Sequence, residues 1–148
     1  MYIYRALNEK EILTGVIRAK SLGAFLAPAT PPLPVPFPVG ETEFMAMYKH
    51  QYGESYTTSG ISVTSSRKIA VEKYGHRFGV VVKFKVSDLL DSGMVILSLE
   101  NELASHLIRY PEDAESIVVC DHIPLSLICE VISDKPNNEH YQQFIQHL

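Results

Sequence analysis

The stretch YPEDAESIVV, from Tyr110 to Val119, sets Asp113 and Glu115 two residues apart at the mouth of a run of β-formers. In an extended segment, residues two apart project from the same side of the chain. Two carboxylates held side by side can divide a task, one stabilising developing positive charge while the other handles a proton, as in glycosyl transfer. The plainer reading is a solvated turn, because Pro, Asp and Glu are ordinary loop residues. Three other places carry groups able to do chemistry: Arg5 in MYIYRAL, His50 at the end of MYKH, and Ser62, Thr64 and Ser65 in GISVTSS. Taken singly, these read as a surface ion-pair partner, a residue at a helix C-terminus and helix-capping hydroxyls.

Positioning such groups requires elements, and the patterning supplies them. MYIYRAL alternates and is rich in Tyr and Ile, which predicts a first strand with Arg5 near its end. In NEKEILTGVIRA, Asn8 followed three residues later by Glu11 forms a capping-box start to a helix carrying Ile12, Val16 and Ile17 on one face. The proline-dense PATPPLPVPFP within residues 28–39 excludes a helix or a central strand and predicts a long extended surface loop. ETEFMAMYKHQYG places Phe44, Met47 and Tyr48 at helical spacing, closed by Gly53. A short helix is expected in SSRKIAVEKYG, capped by Ser65 or Ser66 and stopped at Gly75. GVVVKFKV reads as a strand with Val82, Phe84 and Val86 on one face and Lys83 and Lys85 on the other. MVILSL is a further strand, LASHLIRY a short helix, and two closing strands precede a terminal helix from about Glu139. This succession lacks regular βαβ alternation and predicts an α+β fold.

Length and composition bound the rest. At 148 residues the chain is read as a single domain able to bury its own core. No apolar run approaches the roughly 18 residues of a membrane span, and MYIYRALNEK lacks a signal-peptide layout. The expected location is cytoplasmic, or a target cell into which the chain is delivered by something it does not encode. The net charge of −4 argues against nucleic acid as a partner, because phosphate binding shows as a clustered basic surface. Cys120 and Cys129, both in β-like apolar runs, are expected to be free, small hydrophobes. Without a CxxC or HxxxH pattern, no metal site is expected.

The order YRA, MYKH, GISVTSSRKIAVEKYG, YPEDAESIVVCDHIPLSLI resembles the catalytic core of the cholera-toxin-like mono-ADP-ribosyltransferases. The signature of that family is an arginine, a Ser-Thr-Ser segment and a Glu-x-Glu. The resemblance spans about Tyr2 to Val131 and rests on the joint order of motifs that are each short. It implies an ADP-ribosyltransferase-like split, mixed β-sheet core with short flanking helices, using NAD as substrate and no metal. Residue by residue it makes Arg5 the NAD anchor that also holds the active-site strands, and His50 the histidine beside the nicotinamide ribose. Val63, Thr64 and Ser65 fall on the Ser-Thr-Ser positions, with Ser62 as the substitute for Val63 if the register shifts by one. Asp113 and Glu115 fall on the two acids. Glu115 would hold a ribose hydroxyl and the oxocarbenium-like cation, Thr64 and Ser65 would fix its rotamer, and Asp113 would serve the acceptor. The implied activity is transfer of ADP-ribose from NAD to a protein side chain, arginine above all because both acidic positions are acids, with release of nicotinamide. The alternatives are NAD glycohydrolysis and a degenerate binding module of the same fold. A toxin or effector role follows from the family, as does an immunity protein as partner.

Overall fold

The structure is a computed structural model that describes residues 1–19, 60–103, 105–133, 135 and 137–148. His50, the helix expected around it and the proline-rich loop at 28–39 lie outside the described residues. The architecture is α+β: a six-stranded sheet, a two-stranded sheet and short helices.

The first strand, β1 (Tyr2–Ala6), forms as its alternation predicts and buries Ile3. Helix α1 (Glu9–Thr14) opens with the expected capping box, the Asn8 side chain accepting from Glu11 N–H and the Glu11 carboxylate accepting from Asn8 N–H. The helix is shorter than expected. Gly15 stops it with a left-handed φ of 69°, a conformation that costs glycine nothing. Ile17, expected on the helix, instead begins β2 (Ile17–Arg18), which pairs antiparallel with β7 (His122–Ile123).

The large sheet runs in the order β5-β6-β3-β1-β4-β8, with β3 at Gly60–Thr64, β4 at Val81–Lys85, β5 at Val95–Ser98, β6 at Glu115–Val119 and β8 at Ile128–Ile132. Every pairing among the described strands is antiparallel, which corrects the expectation of a mixed sheet. Helix α2 (Ile69–Tyr74) is a π-helical segment whose entry is capped by Ser66, with Ile69 N–H donating to its hydroxyl, and which Gly75 follows. Val86, expected to extend β4, starts α3 (Val86–Asp91). A short helix α4 (Leu99–Glu102) precedes LASHLIRY, and within that segment a 3-10 turn (Ser105–Leu107) stands where a helix is predicted. The terminal helix α5 (Glu139–Ile145) begins at the predicted residue, capped by Asn138. No helix among the described residues is long and apolar enough to cross a membrane.

The core lies on one face of the sheet. Ile3, Ile61, Val63, Val82, Phe84 and Val118 project there and meet Leu7, Ile12, Leu89 and Phe144, all buried. A smaller cluster of Leu97, Leu99, Leu103, Ile117 and Val119 forms on the other face where β5 and β6 pair. Because Val63 belongs to the main core, the alternation of β3 sends Ser62 and Thr64 to the opposite face. Cys120 and Cys129 are free thiols, Cys120 partly buried and Cys129 exposed.

Candidate active site

Three central strands carry the site. In β6-β3-β1, Glu115 lies opposite Thr64 on the β6–β3 ladder, and Thr64 lies opposite Tyr4 on the β3–β1 ladder. The Ser62 hydroxyl reaches diagonally across to Glu115 and donates to Oε1 at 3.0 Å. That diagonal is the reach expected between same-face residues two positions off register. Burial pushes the Glu115 carboxyl above its ordinary value; the Ser62 hydrogen bond pulls it partly back, and the negative charge of Asp113 adds to the rise.

Between β1 and β3 the ladder is brief, with Tyr4 and Thr64 as its register pair. Arg5, the next residue of β1, shares the core face with Ile3 and Val82, and from there its Nη1 donates to the Ser62 backbone carbonyl at 2.8 Å. The other side of its fork grips Glu11, Nε to Oε2 at 2.9 Å and Nη2 to Oε1 at 3.1 Å. Both side chains are largely buried, 17% exposed for Arg5 and 5% for Glu11. Arg5 thus ties β1 to β3 and to α1.

The remaining hydroxyls do different work from that expected of them. Thr64 Oγ1 donates to the Asp113 backbone carbonyl at 2.6 Å and accepts from Ser66 N–H at 3.0 Å, so it fixes the approach to β6 and does not touch the Glu115 side chain. Ser65 contributes its backbone N–H to the Ala114 carbonyl at 3.4 Å. Fixing the Glu115 carboxylate falls to Ser62, the position that the one-residue shift would select.

Asp113 is placed differently from the reading of paired carboxylates on one strand. Pro111 opens a 3-10 turn (Pro111–Asp113), and Ala114 follows in the left-handed region at φ 47°. The extended geometry that would align Asp113 with Glu115 begins only at Glu115. Asp113 is 2% exposed. Its Oδ1 accepts from Lys73 Nζ at 2.6 Å, and its Oδ2 accepts from the Tyr74 hydroxyl in a short contact. Lys73 also lies 4.4 Å from the Tyr110 ring centroid and 3.7 Å from Glu112. The hydrogen bond to Asp113 is the chief reason the Lys73 ammonium is held above its ordinary pKa, and burial followed by the same carboxylate raises that of Tyr74. This buried, doubly bonded carboxylate is a latch joining α2 to the turn before β6.

Glu11, Lys73 and Tyr74 are the participants that the motif reading passed over. Glu11 carried a signal, since it was already singled out as the capping-box acid; Lys73 and Tyr74 carried none, because their partner is forty residues away in the chain. An open groove of about 530 Å³ runs along β8, lined by Leu125, Ile128, Cys129, Val131, His147 and Leu148, and shares no residue with the Ser62–Glu115 site. Compared with family models, curated proteins and solved structures, the chain finds no match.

Proposed function

We propose that this chain cleaves NAD at the bond between nicotinamide and ribose and passes ADP-ribose to an acceptor, as a mono-ADP-ribosyltransferase. One observation carries the reading: Arg5 of β1 bonds the Ser62 carbonyl of β3, and the Ser62 hydroxyl bonds the Glu115 carboxylate of β6. Three motifs spread over the chain thereby connect through adjacent strands, Arg5 reaching the Ser62 backbone from the core face and Glu115 taking the Ser62 hydroxyl on the other. When the glycosidic bond breaks, its electron pair leaves with the nicotinamide nitrogen, and the ribose becomes an oxocarbenium-like cation. A fixed carboxylate beside that cation stabilises the transition state more than the ground state. Partial burial strengthens that attraction, and the Ser62 hydrogen bond favours the ionised form that burial opposes. Arg5 uses three of the five N–H groups of a guanidinium on Ser62 and Glu11, which leaves two for phosphate or ribose oxygens of NAD. The resemblance would give His50 the place beside the nicotinamide ribose.

A protein side chain, arginine first, is the acceptor in this reading, and the role is that of a toxin or effector with an immunity protein as partner. A second reading is favoured by the state of Asp113. An acceptor guanidinium needs a base to relieve its proton, and both Asp113 oxygens are already bonded by Lys73 and Tyr74. Water requires less assistance, so NAD glycohydrolysis stands as the alternative. Incubation with adenylate-labelled NAD and a cell lysate separates the outcomes. Nicotinamide release with protein labelling is expected, and release without labelling marks the hydrolase. Neither would overturn the reading and leave a binding module of this fold.

A further inference from the structure

Arg5 sits where β1 and β3 part, and little of its own strand holds its guanidinium in place. The plane of its fork is set from outside the sheet, by Glu11 on α1 at 2.9 and 3.1 Å. Glu11 is in turn fixed at both ends. Its backbone N–H donates to Asn8 Oδ1 at 2.8 Å, and its Oε1 accepts from Asn8 N–H at 3.1 Å as well as from Arg5. A buried carboxylate engaged by a bidentate guanidinium and a backbone N–H has one orientation, and it passes that orientation to its partner. Without it, a long side chain with several rotatable bonds would have only the Ser62 carbonyl to hold it.

We propose that Glu11 is a positioning residue of this active site, orienting the Arg5 guanidinium so that its uncommitted N–H groups meet the anionic oxygens of the dinucleotide. The proposal rests on the NAD-cleaving reading above. Glu11 touches no substrate and acts through Arg5, so it governs how well NAD is gripped and leaves the bond-breaking step to Glu115. A grip made equally in the ground and transition states appears in KM and not in kcat.

Glu11→Gln provides the test, read by nicotinamide release at graded NAD concentrations and 25 °C. The amide keeps the size of the side chain and an oxygen for Asn8 N–H and Arg5 Nη2, but its NH2 takes the place of Oε2 against Arg5 Nε–H and cannot accept from it. KM for NAD is expected to rise about tenfold, the change set by one charge-assisted hydrogen bond, with kcat within about twofold. Asn8→Ala removes the side-chain cap but keeps the Asn8 N–H that holds the Glu11 carboxylate, so it should lower the melting temperature with a smaller rise in KM than Glu11→Gln gives. In an Arg5→Gln background, adding Glu11→Gln should raise KM no further, because a residue acting only through Arg5 has nothing left to act on. The proposal is overturned by an unchanged KM in Glu11→Gln, by an equal KM rise in Asn8→Ala, or by full additivity in the double variant. If Glu11→Gln does not fold, the Arg5→Gln pair decides, since the two amides can hydrogen-bond each other. Wild-type protein that releases no nicotinamide overturns the NAD-cleaving reading itself, before any variant is compared.

Discussion

Replacing Glu115 by Gln separates the proposed catalytic charge from packing, because the two side chains match in shape and differ in ionisation. In the folded protein one Glu115 oxygen is held by the Ser62 hydroxyl at 3.0 Å, a bond that the Gln carbonyl can also accept. No cavity forms and no buried donor loses its acceptor, so the fold should survive. Stability should move the other way from activity. Burial raises the Glu115 pKa above its ordinary 4.5, so below that pH both folded and unfolded chains carry the proton and the group costs nothing. As pH climbs past 4.5 the unfolded chain ionises first, and stability falls until the raised folded pKa is passed. Glu115→Gln removes this penalty: its melting temperature should match that of wild type near pH 4 and equal or exceed it at pH 7. Nicotinamide release should fall by about 10²–10³-fold, the scale of deleting one preorganised electrostatic stabiliser, or about 2.7–4 kcal/mol. Thermal melts across that pH range and an NAD-cleavage assay on the same preparation check both halves. Activity within threefold of wild type removes Glu115 from the mechanism, and a melting temperature several degrees lower at pH 7 refutes the claim that its charge is held against the preference of the fold.

Ser62→Ala should lower NAD cleavage by about ten- to a hundredfold, since a hydrogen bond to a charged group is worth about 1.5–3 kcal/mol, with the pH for half-maximal rate moving upward as the influence that lowers the Glu115 pKa is lost; an unmoved pH profile would count against the contact. Asp113→Ala deprives Lys73 and Tyr74 of their shared acceptor, so the melting temperature should drop and nicotinamide release and protein labelling should fall together; a selective loss of labelling would instead restore Asp113 as the acceptor's base. Gly15→Ala forces a left-handed φ on a residue whose Cβ would lie 2.5 Å from the His147 ring, and should cost at least ~1–2 kcal/mol, read as a melting temperature a few degrees lower with KM for NAD little changed. Phe144→Ala, which empties a fully buried position between α5 and the core, should cost about 3–5 kcal/mol in denaturant unfolding.

Local rules explain which features were legible in the sequence. The Asn8 and Glu11 capping box, the β1 alternation, the start of α5 and the Gly75 stop depend on residues within a few positions of one another, and each was readable. Helix α1 was overextended because apolar spacing continues through Val16 and Ile17, while the left-handed Gly15 and the pairing of β2 with β7 override it. Matching motif to motif favours Thr64 and Ser65 as partners of Glu115. Parity along β3 favours Ser62, because Val63 is claimed by the core and its neighbours must face away.

The acidic stretch shows the limit of spacing as a guide. Residues two apart share a side only while the backbone stays extended, and that condition fails between Asp113 and Glu115, where Ala114 adopts φ 47° and ψ 45°. Pro111 at the first position of a tight turn was the available warning. The break assigns the two acids to different tasks. Asp113, held back in the turn, closes an ionic latch with Lys73 and Tyr74, while Glu115, the first residue of the strand, enters the ladder opposite Thr64. Thr64 accordingly serves both: its hydroxyl bonds the Asp113 carbonyl, and its backbone sets the register of Glu115. Lys73 pairs with Asp113, and the Glu115 carboxylate accepts from the Ser62 hydroxyl.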